Sequence, residues 1–135
     1  MGRPRPGRSA PSLTLDAGAL VAIERGRERM LALLDRVSRA GVARFHIPAG
    51  ALAQAWRSGA RQVRLARFLA GQSVEVVPLD GAVARSAGEL CGALGTRDIV
   101  DASVALCARV HGGSVVTSDP RDLLRLDPTL SVFAV

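Results

Sequence analysis

Short β-rich apolar segments alternate with helical segments along this sequence, and that alternation restricts the fold more than any other feature. Strands are predicted at 12–16, 42–47, 74–79, 114–118 and 131–134. Helices are predicted at 17–24, 27–40, 49–57, 60–70, 81–94, 99–111 and from Pro120 onward. Strands that alternate with helices form parallel sheets covered on both faces. The sequence therefore predicts an α/β fold of three layers, with a parallel sheet of four to five strands.

One domain is expected over residues 12–135, because a chain of 135 residues that is 48% apolar is long enough for a single core. Residues 1–11, MGRPRPGRSAP, are basic, rich in proline and glycine, and predicted to be a disordered tail without the apolar core of a signal peptide. No apolar stretch is long enough to span a bilayer. Cys91 and Cys107 lack zinc-site spacing, so we expect two buried, reduced thiols and a cytoplasmic location.

All 18 basic residues are arginine, and the formal net charge is +6. The absence of lysine excludes enzymes that need a Schiff-base lysine, a phosphate-loop lysine or the lysine of a receiver domain. Seven arginines and no acid lie between Asp35 and Glu75. Because guanidinium groups match phosphate and carboxylate, this local charge asymmetry indicates an anionic partner.

Four aspartates lie beside apolar runs: Asp16, Asp98, Asp101 and Asp119. Asp16 and Asp119 end predicted strands, and parallel strands end at the same edge of a sheet, where open α/β sheets bind ligands. Asp98 and Asp101 are three residues apart at a helix start and share one face. Two carboxylates about 4 Å apart repel by about 4 kcal/mol at an effective dielectric of about 20. A converged cluster would therefore take up protons or a cation, and oxygen ligands favour Mg²⁺ or Mn²⁺ over Zn²⁺.

Helix capping is the alternative explanation for these acids, because aspartate is a preferred N-cap residue. Asp16, Asp98 and Asp119 each precede a predicted helix. Asp101 would occupy the third helical position among apolar residues, where a ligand role is favoured. Asp122 is expected to close a capping box with Asp119 rather than to bind a metal.

Taken together, the acidic motifs resemble the PIN-domain ribonucleases, specifically the VapC-type toxins of bacterial toxin–antitoxin systems. The matching segments, which extend over nearly the whole chain, are LDAGALVAI, ALAQAWR, DIVDASVALCA and VVTSDPRDLL. The resemblance implies a PIN-like fold, a Mg²⁺-dependent endoribonuclease acting on structured RNA, a small VapB-like antitoxin partner and a homodimer. It implies that Asp16, Asp101 and Asp119 are metal ligands and that Asp98 assists with the metal or with water.

The sequence departs from the family pattern at the second acidic position, where Gln54 replaces the usual glutamate. An amide oxygen can accept a hydrogen bond or bind a metal weakly, but an amide cannot act as a general base. Three hypotheses follow: a working nuclease with a different set of acids, a slow nuclease, or a protein that has lost cleavage.

Arg57, Arg61, Arg64 and Arg67 are spaced four, three and three residues apart, which predicts one helical stripe of positive charge. This stripe is either a solvated face or a surface that contacts RNA phosphates or acidic residues of an antitoxin. Few aromatic residues lie nearby, so recognition of RNA shape and backbone is favoured over base stacking.

A metal-dependent endoribonuclease toxin is the leading functional hypothesis. In this mechanism Asp16, Asp101 and Asp119 position the metal, while Asp98 and Gln54 orient water or substrate. The alternative is a catalytically weak or inactive PIN-like module that binds RNA or a partner protein. A nuclease acting on DNA through the same site is a third hypothesis.

Overall fold

A computed structural model describes residues 12–41 and 44–135, so the predicted tail at 1–11 lies outside the described residues. The described part forms one sheet of five strands in the order β3-β2-β1-β4-β5, and every pairing is parallel. The strands are β1 (Ser12–Leu15), β2 (Arg44–Pro48), β3 (Val74–Val77), β4 (Ser114–Thr117) and β5 (Ser131–Ala134). The predicted α/β fold with a parallel sheet is confirmed.

Seven helices are present in the described residues. They are α1 (Ala17–Glu24), α2 (Glu28–Arg39), α3 (Ala49–Ala55), α4 (Val63–Leu69), α5 (Gly81–Leu94), α6 (Ile99–Val110) and α7 (Pro120–Leu126). None of them is both long and apolar enough to cross a membrane.

The central strand β1 shows how the sheet separates two layers. Successive side chains of a strand point to opposite faces. Leu13 and Leu15 pack into the core formed with α1, α2 and α4, whereas the Thr14 hydroxyl contacts the Cys107 thiol on α6, with 3.7 Å between Oγ1 and Sγ. Both cysteines are buried and free, as predicted.

The break between α3 and α4 is wider than predicted, and one side chain accounts for it. The Gln62 amide oxygen accepts hydrogen bonds from the backbone N–H groups of Arg57 (2.7 Å) and Ser58 (3.0 Å). Its Nε2 donates to the Ala55 carbonyl at 2.9 Å, where α3 ends. These three bonds replace helical bonds, so the chain turns through residues 56–62 instead of continuing as helix.

Helix α4 is fixed to the end of α1 by a long-range cap. The Leu65 N–H, in the first turn of α4, donates to the Glu24 carboxylate at 2.8 Å. Gly26 follows with φ +62, a backbone conformation that favours glycine. A Cβ on Gly26 would also lie 1.9 Å from Arg64 Nη1, so the Arg64 guanidinium sits directly against this turn.

Two histidines stack on each other at the C-terminal end of α6. The His46 and His111 rings are 3.6 Å apart and nearly parallel at 8°. His46 is buried, and within the described residues its Nδ1 atom has no hydrogen-bond partner. Burial, and then the neighbouring His111, lower the pKa of His46. The burial and stacking of its ring support a structural role for His46.

Candidate acidic active site

Asp16 lies at the junction of β1 and α1, and its carboxylate is buried, with 8% of the residue exposed. Oδ1 accepts the Ala19 N–H at 2.9 Å, so Asp16 is the N-cap of α1. Oδ2 accepts a hydrogen bond from the Thr117 hydroxyl. Burial raises the pKa of Asp16 above its usual range, although the bonds from Thr117 and Ala19 oppose the shift. The cap of α1 therefore fixes one carboxylate oxygen of Asp16, and the other oxygen is bonded to Thr117 at the end of β4.

Close packing at Gly18 brings the start of α1 against the end of β4. A Cβ at this position would lie 2.0 Å from the Ser118 Oγ and 2.8 Å from its Cβ. Since a Cβ does not tolerate such distances, only glycine permits this approach. The motif LDAGAL contains this residue, but sequence reasoning did not assign it a role.

Thr117 connects Asp16 to Asp119. Its buried hydroxyl donates to Asp16, and its oxygen accepts the Asp119 N–H at 2.9 Å. The prediction that parallel strands bring these two acids together is supported by this shared contact, and the charge of Asp119 contributes to the raised pKa of Asp16. Among the described residues, no side-chain cap bond forms at Asp119, although it holds the N-cap position of α7.

The expected capping box between Asp119 and Asp122 is wrong. It requires the Asp119 N–H as a donor, and Thr117 already accepts that hydrogen bond. Asp122 is exposed, and its carboxyl group lies close to that of Asp119. The negative charge of Asp119 raises the pKa of Asp122, and Arg125 partly offsets that shift. Asp122 therefore belongs to the acidic cluster.

Asp98 and Asp101 start α6, as predicted. The Asp98 carboxylate caps the helix by accepting the Asp101 N–H at 2.9 Å. The pKa of Asp101 is raised to about 7, first by burial, then by its hydrogen bond with Asp98, and then by the charges of Asp98, Asp122 and Asp16. The two acids of α6 thus interact electrostatically with acids of β1 and α7.

A cavity of about 350 Å³ opens between α6 and α7. Its lining residues are Leu94, Thr96, Asp98, Asp101, Asp122, Arg125 and Leu126. Asp16 and Asp119 are not part of this lining, so the acids form two adjoining groups: a strand-end pair held by Thr117 and a helical set around the cavity.

The oxygen-rich character of these groups fits a hard divalent cation. In residues 12–41 and 44–135, no three His, Cys, Asp or Glu side chains are already gathered as a compact ligand set. Mg²⁺ does not require one, because it keeps several waters and is usually held by one or two carboxylates. Burial, and then the neighbouring carboxylates, raise the pKa values of Asp16 and Asp101, and a cation bound beside them would oppose that shift.

Gln54 is exposed on α3, which packs against α1 and α6, the helices that begin beside Asp16 and Asp98. No hydrogen bond joins its amide to any of the acids in the part of the chain that the structure describes. The structure thus places Gln54 on a helix adjoining the site, without a direct contact.

The predicted stripe of four arginines on one helix is wrong. Arg57 lies beyond the end of α3 and donates back to the carbonyls of Ala53 (3.3 Å) and Trp56 (2.7 Å). Arg61 lies in the turn before α4, and Arg64 and Arg67 are exposed on α4 itself. The Gln62 turn interrupts the helix, so the spacing no longer defines a single face.

Comparison with known families agrees with this arrangement. The family model of the PIN domain matches residues 13–127 of this chain, a range that includes all the aspartates of the candidate site. The chain belongs to the PIN-domain family. A search of curated proteins finds no match.

Several solved structures share the fold of this PIN domain. VapBC2 from Rickettsia felis, bound to a DNA fragment from its promoter, is 18% identical, with a TM-score of 0.66, and the match covers 93% of this chain and 99% of that one. FitAcB from Neisseria gonorrhoeae is 22% identical, with a TM-score of 0.58 and coverage of 90% and 96%. VapC20 from Mycobacterium tuberculosis, described as a toxin that cleaves the sarcin–ricin loop, is 15% identical, with a TM-score of 0.58 and coverage of 78% and 87%. At these identities the likeness establishes the fold.

Replacing Thr117 with valine tests the link between Asp16 and Asp119. Valine keeps the shape but removes both hydrogen bonds, leaving a buried carboxylate oxygen and an N–H group without partners. We expect the free energy of unfolding, measured by urea titration, to fall by about 1–3 kcal/mol. Thr117→Ser keeps the hydroxyl and should retain most of the stability. Equal stability of the valine variant and the unchanged protein would show that the hydroxyl does not hold the two acids.

Proposed function

We propose that this PIN domain is a Mg²⁺-dependent endoribonuclease toxin that cleaves structured RNA and is neutralised by a small antitoxin. The observation that supports it is the Thr117 hydroxyl shared by Asp16, directly after β1, and Asp119, just beyond β4. The charges of Asp16 and Asp122 also act on Asp101 of α6. The toxin neighbours VapBC2 and VapC20 have the same fold.

In the proposed mechanism, Asp16, Asp101 and Asp119 would hold the divalent ion, which is Mg²⁺ or, as a substitute, Mn²⁺. When bound, the ion would supply charge neutralisation at the phosphate and would lower the pKa of water. Asp16 is fixed by two hydrogen bonds and therefore contributes a preorganised oxygen. Asp98 is oriented by its bond to the Asp101 N–H and, together with Gln54, orients water or substrate.

Cleavage of total RNA with and without Mg²⁺ tests this proposal. We expect Asp101→Asn to reduce metal-dependent cleavage by roughly a hundredfold or more, because it removes a charged ligand. Asp80→Asn is the matched control, since Asp80 is an exposed acid that caps α5 through the Val83 N–H. Gln54→Glu restores the acid usual in the family and should tighten Mg²⁺ binding roughly tenfold, the effect of about 1.4 kcal/mol.

The alternative, a binding module that has lost cleavage, rests on the neutral amide at Gln54. It predicts RNA binding without cleavage, whether or not Mg²⁺ is present. In that case the RNA would remain uncleaved with the Asp101→Asn variant and with the Gln54→Glu variant. The nuclease proposal fails on that result.

We propose an antitoxin partner because two solved structures with this fold, VapBC2 and FitAcB, carry the names of toxin–antitoxin pairs. We expect a small protein encoded beside this chain to form a complex with it and to suppress RNA cleavage at a one-to-one ratio. Titrating that protein into the cleavage assay measures the effect. Full cleavage in the presence of a stable complex would contradict neutralisation.

A homodimer is proposed from an apolar groove of about 280 Å³ beside the β3 edge of the sheet. Its walls include Leu79, Val83, Leu106 and Val110, and Val110 is 77% exposed. Exposed apolar surface of this kind marks interaction sites. We expect Val110→Asp to convert a dimer to a monomer in sedimentation velocity, whereas Leu31→Asp, on the exposed side of α2, should not. A chain that sediments as a monomer without substitution would contradict the dimer.

A further inference from the structure

Three arginines from two segments of the chain lie at the turn between α1 and α2. Arg25 and Arg27 flank Gly26, and the guanidinium of Arg64, from α4, lies against that glycine. The backbone of the turn is fixed, because Gly26 N–H donates to the Ile23 carbonyl at 3.1 Å and Arg27 N–H donates to the Ala22 carbonyl at 3.0 Å. The fold therefore brings Arg64 from a distant segment to the turn that carries the other two arginines.

No ion pair neutralises the three arginines in the described residues; the arginine pairs present there are those of Arg39 and Arg109. Two acids adjoin the cluster in sequence: Glu24 precedes Arg25 and accepts the Leu65 N–H, and Glu28 follows Arg27 at the start of α2. Three arginines beside two glutamates leave the cluster net positive. Arg25, Arg27 and Arg64 are all exposed.

The cluster and the acidic site lie at opposite ends of one rigid element. Helix α1 begins at its cap, Asp16, and ends at Glu24, directly before Arg25. Its eight residues span about 12 Å. An RNA backbone approaching the acids is repelled by their charge, and a positive site a few nucleotides away would offset that repulsion and fix the register of the strand.

We propose that Arg25, Arg27 and Arg64 form a binding site for backbone phosphates of RNA, at a distance of about one α1 length from the acids. The inference rests on the proposed function, because it assigns part of the substrate contact. Planar guanidinium groups pair with phosphate oxygens in a bidentate manner. The site differs from the four-arginine stripe expected from sequence, since it takes Arg64 from that set and adds two residues of a different segment.

Binding measured without cleavage tests the site separately from catalysis. A fluorescein-labelled RNA hairpin of mixed sequence is titrated with the Asp101→Asn protein in EDTA over a range of salt concentrations. The comparison variant also carries Arg25→Gln, Arg27→Gln and Arg64→Gln, which keep the polar length of the side chains. The slope of log K against log salt should decrease in magnitude by about 2–3, close to one unit per phosphate contact.

The control variant replaces Arg36, Arg44 and Arg85 with glutamine, which removes the same charge from other exposed positions. Its slope should stay within about half a unit of the parent value, because no phosphate contact is removed. Melting temperatures of both variants establish that they are folded.

An unchanged slope in the first variant, or an equal change in the control, overturns the phosphate site. The phosphate site is also overturned if the variant with the three glutamines no longer binds a polyglutamate peptide but still binds RNA. That result would assign the cluster to contact with an acidic protein. Failure of the unsubstituted protein to cleave RNA with Mg²⁺ rejects the nuclease proposal instead, and the EDTA binding series distinguishes the two results.

Discussion

The burial of the Asp16 carboxylate is the constraint on which the rest of the site depends. A buried charge is costly unless hydrogen bonds compensate it, and here the compensation comes from α1 through Ala19 and from β4 through Thr117. These two bonds fix the relative positions of β1, α1 and β4. The glycine at position 18 then allows the first turn of α1 to reach the end of β4. The position of Asp119 follows from the same hydroxyl group.

The layered fold was predictable because apolar periodicity reports directly on which faces are buried. Strand β5 and helix α5 begin and end at the predicted residues. The parallel arrangement predicted from the sequence places Asp16 and Asp119 at one edge of the sheet.

Features that depend on individual side-chain-to-backbone hydrogen bonds were not predictable. Gln62 is an ordinary polar residue in the sequence, yet its three hydrogen bonds end α3 and displace Arg57 from the helix. Likewise, nothing local to Glu24 indicates that its carboxylate accepts a backbone N–H 41 residues away. The local cap expected at Asp122 does not form because Thr117, two residues before Asp119, accepts the Asp119 N–H, and residue spacing does not reveal which acceptor is preferred.

The electrostatic character of the molecule is divided along α1. Its first end lies among carboxylates, where burial and neighbouring negative charges raise the pKa values of Asp16 and Asp101, and its second end lies beside guanidinium groups. Compared with the usual family glutamate, Gln54 removes one negative charge from the acidic motifs, while Asp122 adds a carboxylate to the cluster. The acid count around the site is therefore set by α6 and α7 more than by α3.

The order in which the acids occur along the chain affects biosynthesis. Asp16 is synthesised 101 residues before its partner Thr117, and the residues of α7 follow Thr117. A nascent or truncated polypeptide ending before β4 therefore has neither the hydroxyl bridge nor the cavity wall. The complete pocket assembles only after α7 has been made, so synthesis of the first acid is separated in time from formation of the site.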